Sequence, residues 1–269
     1  MEEPFMESLF DFTIVKMFYH VSPEGADLPK YETPATTFFE PAVLSETLFE
    51  SGKDAHATSF ALPASFIGTS LCKLALIQLQ FAAQYDRLID LSPENLTYQV
   101  ELHDDHGHLG YRIREVRSIA IPSEERDAFL IRHWNQYFTS FITPAVEAVA
   151  AASDLKPEAI WQQFGGQIAY MKDYLIANEK REEVIEKFLN DSKQLTELDP
   201  ALFNQRRNPY QHKPRYLDNP LNVEEKWLMQ SSCCLYDRRE NGTKCYTCPQ
   251  MTPAEREERK SEMLAAAGK

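Results

Sequence analysis

The chain has 269 residues, 43% of them hydrophobic and 12% aromatic, with charge spread along its length, so it is globular and not disordered. A net charge of −13 argues against a general nucleic-acid binder or a protein held broadly on anionic lipid, and an anionic partner must meet a local basic patch. No uninterrupted apolar run approaches the roughly eighteen residues that span a bilayer, and the start, MEEPFMESLFDF, is acidic where a secretory signal is basic. The expected location is the cytoplasm, with the inner face of a membrane as a variant of it.

In chain order, Phe10, Phe12 and Ile14 alternate as in a short strand. Pro23, Pro29, Pro34 and Pro41 predict irregular chain over 21–41, and Pro41 then opens a short helix ending before Gly52. Leu74, Ile77, Phe81, Tyr85 and Leu88 recur at helical spacing and mark the buried face of a helix over 71–88. The period then becomes two. Leu96, Tyr98, Val100 and Leu102, then Leu109, Tyr111 and Ile113, predict a β-hairpin with one buried and one solvated face.

From Ser123, a capping residue followed by Glu124 and Glu125, a helix is expected to run to Phe141 and to kink or break at Pro144. Pro157 opens another, whose face is Ile160, Trp161, Phe164, Ile168, Met171 and Leu175. Residues 179–193 keep Val184 and Phe188 at helical spacing in a charged stretch, as a surface helix does. Pro209, Pro214 and Pro220 leave little room for regular structure over 204–220. TPAE at 252–255 is a capping-box signature for a closing helix.

Four of the five cysteines lie at 233–248, as SSCCLYDRRENGTKCYTCP over 231–249, with the spacing C-C-x10-C-x2-C. A reducing cytosol disfavours disulfides, which leaves a metal site ahead of redox-active dithiols. The C-x2-C half lets two thiolates meet one centre across a tight turn. Consecutive side chains diverge, so the Cys233–Cys234 pair suits a two-iron centre better than one tetrahedral zinc, although both accept four thiolates. A structural zinc that pins the C-terminus stays open.

This stretch resembles the C-terminal signature of ferric siderophore reductases of the FhuF type, and NPL at 219–221 sits where that family tends to place an Asn-Pro element. The likeness is close over about 30 residues and general elsewhere. It implies a [2Fe–2S] cluster on Cys233, Cys234, Cys245 and Cys248 that reduces siderophore-bound Fe(III) to Fe(II) by one electron. Reduction weakens the hold of a hard-oxygen chelator, so iron leaves without hydrolysis of the ligand. The implied partners are a ferric siderophore of hydroxamate, catecholate or citrate type and an electron donor such as a ferredoxin or flavodoxin-like protein. No Gly-rich dinucleotide fingerprint supports direct NAD(P)H binding.

NQRRNPYQHKPRYL at 204–217 carries Arg206, Arg207, Lys213 and Arg215 with no acidic residue, and Arg238, Arg239 and Lys244 lie inside the cysteine loop. These form a candidate basic rim for an anionic ferric complex, with Tyr210, Tyr216, Tyr236 and Tyr246 as stacking surface. The plainer alternative is that they pair with surplus carboxylates. HDDHGH at 103–108 holds possible metal ligands, but turn chemistry accounts for it. Cys72 reads as a buried inert thiol, FGGQ at 164–167 as a helix interruption without a phosphate-loop pattern, and His133 and Trp134 as ordinary helix residues.

The expected fold is therefore helix-weighted α+β. A hairpin-containing region spans 1–120, a helical region 121–203, and an irregular cluster-binding segment with its closing helix 204–269, unless the three form one continuous domain. A zinc-stabilised binding or siderophore-assembly-related protein and an iron–sulfur sensor are the competing functions.

Overall fold

The computed structural model describes residues 9–103 and 106–268. Its elements in order are α1 (Thr13–Tyr19), β1 (Val21–Ser22), β2 (Pro29–Pro34), α2 (Pro41–Lys53), α3 (Ala61–Tyr85), β3 (Arg87–Ile89), β4 (Leu96–His103), β5 (His106–Ile113) and β6 (Ser118–Ala120). There follow α4 (Arg126–Tyr137), α5 (Thr143–Ala152), α6 (Pro157–Trp161), α7 (Phe164–Asn178), α8 (Glu182–Glu197), β7 (Tyr216–Asp218), β8 (Lys226–Leu228) and α9 (Pro253–Ala267). The fold is α+β and weighted toward helix.

α3 is the axis. Leu71, Leu74, Ile77 and Phe81 are fully buried, and each contributes about 2 kcal/mol by leaving water. One continuous set of buried side chains surrounds α3 and runs from Phe10 to Tyr210. Among the described residues α3 alone is long and apolar enough to cross a bilayer, but 83% of its most apolar stretch is buried inside the fold, as befits a core helix. It starts ten residues earlier than its periodicity suggests and ends at Tyr85, where Asp86 turns left-handed at φ 53° and puts Leu88 into β3.

The hairpin forms in the expected register, with Tyr98 opposite Tyr111 and Val100 opposite Leu109, in a sheet ordered β1-β5-β4-β2. Its second face is not simply solvated. Thr97 and Gln99 are buried there, and the Gln99 amide accepts from the Ala26 amide (2.9 Å) and donates to Glu32 (3.0 Å). The proline-rich 21–41 stretch supplies that cover, because β2 takes an edge position with Pro29 and Pro34 at its ends, where missing donors cost no ladder bond. Asp104 and Asp105 lie outside the described residues, as do the side chains of His103 and His106.

Phe10, Phe12 and Ile14 do not form a strand. Asp11 accepts from the Thr13 amide (2.8 Å) and starts α1, while Phe10 and Phe12 pack on Phe81. Ser123 does not cap α4, which begins at Arg126 after Glu125. Pro144 does not end the helical run: a wider π-helical turn, Phe138–Ile142, interrupts the α-helical pattern ahead of it, and α5 continues to Ala152. The helix opened by Pro157 breaks at Gln162–Gln163, and every residue of its expected apolar face is buried. α8 buries Val184 and Phe188, and also Asp191, whose carboxylate accepts from Arg126. Within 204–220 the chain is irregular except for β7, which pairs with β8. The capping box of α9 forms with Thr252 and Glu255.

Candidate metal centre

The chain leaves the core after Tyr210, just past Asn208, whose buried side chain donates to the carbonyls of Leu195 (2.9 Å) and Leu198 (3.1 Å). It then crosses the first turn of α7, where the FGGQ glycines matter. A Cβ on Gly165 would lie 2.3 Å from Cβ of His212, and one on Gly166 would lie 2.9 Å from Oγ of Ser231. The Gly166 amide donates to Ser231 Oγ at 2.9 Å. The two glycines therefore do not interrupt a helix; they admit the cysteine-bearing segment against it. Tyr216 donates to Asp173 at 2.7 Å, and that bond holds its phenol up at about 12.

Cys233 and Cys248 are buried, Cys234 is half-buried and Cys245 is exposed. Leu235 adopts φ 61°, strained for a branched side chain, and turns consecutive amides toward the cysteine pair. The Leu235 amide donates to Cys233 Sγ at 3.4 Å, and the Tyr236 amide donates to the Cys234 sulfur. On the other side the Cys248 amide donates to the Cys245 carbonyl at 2.9 Å, closing the tight turn of the C-x2-C half.

Burial pushes the Cys233 thiol up to about 12, against the Leu235 amide, and the Cys248 and Cys234 thiols add to the rise. Burial also raises Cys234, with Cys245 and Cys248 contributing. Cys233 thus stands within electrostatic reach of Cys234 and Cys248, and Cys234 within reach of Cys245 and Cys248. Such thiols stay protonated at neutral pH unless a cation takes them as thiolates. Among the described residues, no three His, Cys, Asp or Glu side chains meet closely enough to hold a single ion. The donor set itself, four thiols that include the adjacent Cys233–Cys234 pair with its diverging side chains, suits a two-iron centre, whose ligands divide between separate irons, better than one tetrahedral ion.

The loop is fixed to α3 and its approach. Ser65 donates to the Cys234 carbonyl (2.8 Å), the Thr58 amide to Arg238 (3.1 Å), and the Glu240 amide to His56 (2.9 Å). Tyr236 is held between Phe66, 6.0 Å away ring to ring, and the Arg239 guanidinium, 4.0 Å from its ring centre. From α9, Arg256 donates to the carbonyls of Tyr246 and Cys248. Tyr246 packs on Trp227 and donates to Asp218.

The basic residues divide by these contacts. Arg206, Arg207, Lys213, Arg215 and Arg238 are exposed and form no ion pair with a described residue, whereas Lys244 pairs with Glu255 at 3.2 Å. Arg239, Tyr236 and Tyr246 are engaged within the loop, and Tyr210 is in the core. Burial pushes the Cys72 thiol well up, and pushes His133 down to about 4 beside the Gln78 carboxamide (3.0 Å).

One feature was not visible in the motifs. A cleft of about 400 Å³ opens against Cys234, between α3, the end of α1, the start of α7 and the tip of β5, and Lys73 lines it. A lone charge in the apolar run of α3 was the available signal.

The site defined by these residues is a four-cysteine segment carried on a helix-weighted scaffold. Residues 231–250 match the FhuF 2Fe-2S C-terminal domain, which bears out the likeness to FhuF-type siderophore reductases over that segment. No curated protein matches the chain.

Proposed function

We propose that the protein is a ferric siderophore reductase. The observation that carries this reading is the grouping of Cys233, Cys234, Cys245 and Cys248, with amides directed at two of the sulfurs, inside a segment matching an iron–sulfur domain of that family. A [2Fe–2S] group bound by these thiolates supplies one electron at a time, the number that converts Fe(III) to Fe(II). The electron comes from a reduced ferredoxin or flavodoxin-like donor in the cytoplasm. The substrate is ferric iron in a hydroxamate, catecholate or citrate siderophore, and the weakened chelate then releases Fe(II).

The protein's own part is positioning. Leu235 and Tyr236 amides favour the thiolate form of the paired cysteines, Ser65 and Arg256 fix the loop, and half-exposed Cys234 and exposed Cys245 leave the site open to a docked complex. Arg206, Arg207, Lys213, Arg215 and Arg238 supply a positive margin in a chain of net charge −13, suited to an anionic complex or an acidic donor.

Anaerobically purified protein tests the reading. It should be reddish-brown, with iron and acid-labile sulfide each about two per chain. Reduced with dithionite, it should reoxidise on mixing with ferric siderophores as Fe(II) appears. A colourless protein with one zinc would establish the structural-metal alternative. A coloured protein inert to hydroxamate, catecholate and citrate complexes would be a sensor.

A further inference from the structure

The cleft against Cys234 gathers side chains from five separated stretches of chain. Phe66 and Lys73 lie seven residues apart on one stripe of α3, Tyr19 closes α1, Gln167 and Tyr170 stand on the facing side of α7, and Cys234 completes the lining. Its volume, about 400 Å³, falls within the range of small-molecule sites.

Its charge is unlike that of the rest of the molecule. In a chain with 41 acidic and 28 basic residues, no Asp or Glu is among the described residues lining this cleft. Lys73 forms no ion pair with a described residue, and its ammonium lies 6.0 Å from the centre of the Tyr19 ring. Burial pushes that ammonium below its ordinary value, so it stands partly desolvated without an ion-paired partner among the described residues. An anionic ligand would relieve that cost. Tyr170 is 49% exposed, an aromatic face left open at the rim, and Phe66 continues the aromatic wall toward Tyr236.

We propose, building on the reductase reading, that this cleft seats the substrate, that Lys73 selects its charge, and that the preferred complexes are anionic ferric chelates with aromatic donors, the tris-catecholate class. A tris-catecholate complex of Fe(III) carries net charge −3, which meets the Lys73 ammonium, and its rings meet Tyr170 and Phe66. A trihydroxamate complex is neutral and presents no ring. Because Cys234 shares the lining, a complex seated here touches the cysteine segment directly.

Gallium(III) chelates, matching the ferric complexes in charge and shape but inert to reduction, separate binding from electron transfer. The probe is the intact, metal-loaded protein, titrated with Ga(III) tris-catecholate and Ga(III) trihydroxamate and followed by tryptophan fluorescence and calorimetry. The tris-catecholate should bind at least tenfold tighter. Lys73→Met should remove that preference, Lys73→Arg should keep most of it, and Tyr170→Ala, a change at the exposed rim, should weaken the tris-catecholate several-fold. The visible spectrum and thermal midpoint of Tyr170→Ala should match the parent. Equal affinity for both chelates, a preference for the trihydroxamate, no binding of either, or tris-catecholate binding unmoved by Lys73→Arg, Lys73→Met and Tyr170→Ala alike would overturn the assignment. The reductase reading fails separately, if protein reduced with dithionite passes no electron to any ferric complex.

Discussion

Ser65, in the second turn of α3, donates a 2.8 Å hydrogen bond to the carbonyl of Cys234, and its own oxygen accepts from Gln163 at 2.9 Å. Thr69 donates to the same glutamine at 3.0 Å, so one chain of polar contacts ties the core helix, the entry to α7 and the cysteine pair. Ser65→Ala deletes the link and leaves the buried Gln163 amide short of a partner, a loss of about 1 kcal/mol. The cluster should still assemble, but its visible absorption should decay under a chelator roughly fivefold faster, since about that factor corresponds to 1 kcal/mol. An unchanged decay rate would show that the loop is held elsewhere.

Gly165 lies beneath the chain at His212, with room for no Cβ: the nearest atom would be 2.3 Å away. Gly165→Ala must displace the segment that leads from the core to the cysteines, at an overpacking cost of about 2 kcal/mol. A lowered thermal midpoint together with reduced iron content is expected. A variant that melts like the parent with full iron would mean that the crossing yields without strain.

The sequence displays the cysteine spacing, the hairpin, the apolar face over 157–175 and the α9 capping box because each is a local pattern with its own period or end signal. What it hides is non-local. The edge strand Pro29–Pro34 becomes a strand only because β4 stands beside it, and the π-helical turn before Pro144 depends on Phe138 packing against Phe203 and Tyr210. The FGGQ glycines look like a break until Ser231 and His212 are seen against them. The cleft at Cys234 is the extreme case, because its walls come from residues as far apart in sequence as Tyr19 and Gln230.

Cys233→Ser and Cys245→Ser should each abolish the visible absorption while leaving the far-UV helical signal close to that of the parent. The continuous core spans Phe10 to Tyr210 and includes none of the four cysteines. Global unfolding of either variant would instead mark the metal as a structural pin.

Asp191 is wholly buried on α8 and accepts from Arg126 at 2.5 Å, and Arg126 also donates to Asp86 at 2.7 Å. Asp191→Ala leaves a largely buried guanidinium with a half-exposed carboxylate as its remaining acidic partner. The expected loss is about 3 kcal/mol, the lower end for breaking a buried pair. Denaturant unfolding measures it, and a loss under about 1 kcal/mol would mean that Asp86 suffices.

Glu255 closes the capping box of α9, accepting from the Thr252 amide, while Lys244 donates to it at 3.2 Å. The Thr252 bonds, with Lys244 behind them, hold its carboxyl down at about 2. A carboxyl lowered on folding contributes stability that is complete above its ordinary value near 4.5 and lost as pH falls through the folded value, so the start of α9 should persist at pH 4 and loosen as pH nears 2. Arg256, the next residue, fixes the Tyr246 and Cys248 carbonyls, so this end of the helix supports the C-x2-C turn. Carboxyl chemical shifts in the metal-free protein test the coupling: Glu255 should titrate near 2 in the parent, and its midpoint should rise toward 4.5 in Thr252→Ala. A parent midpoint already near 4.5 would show that the box does not hold in solution.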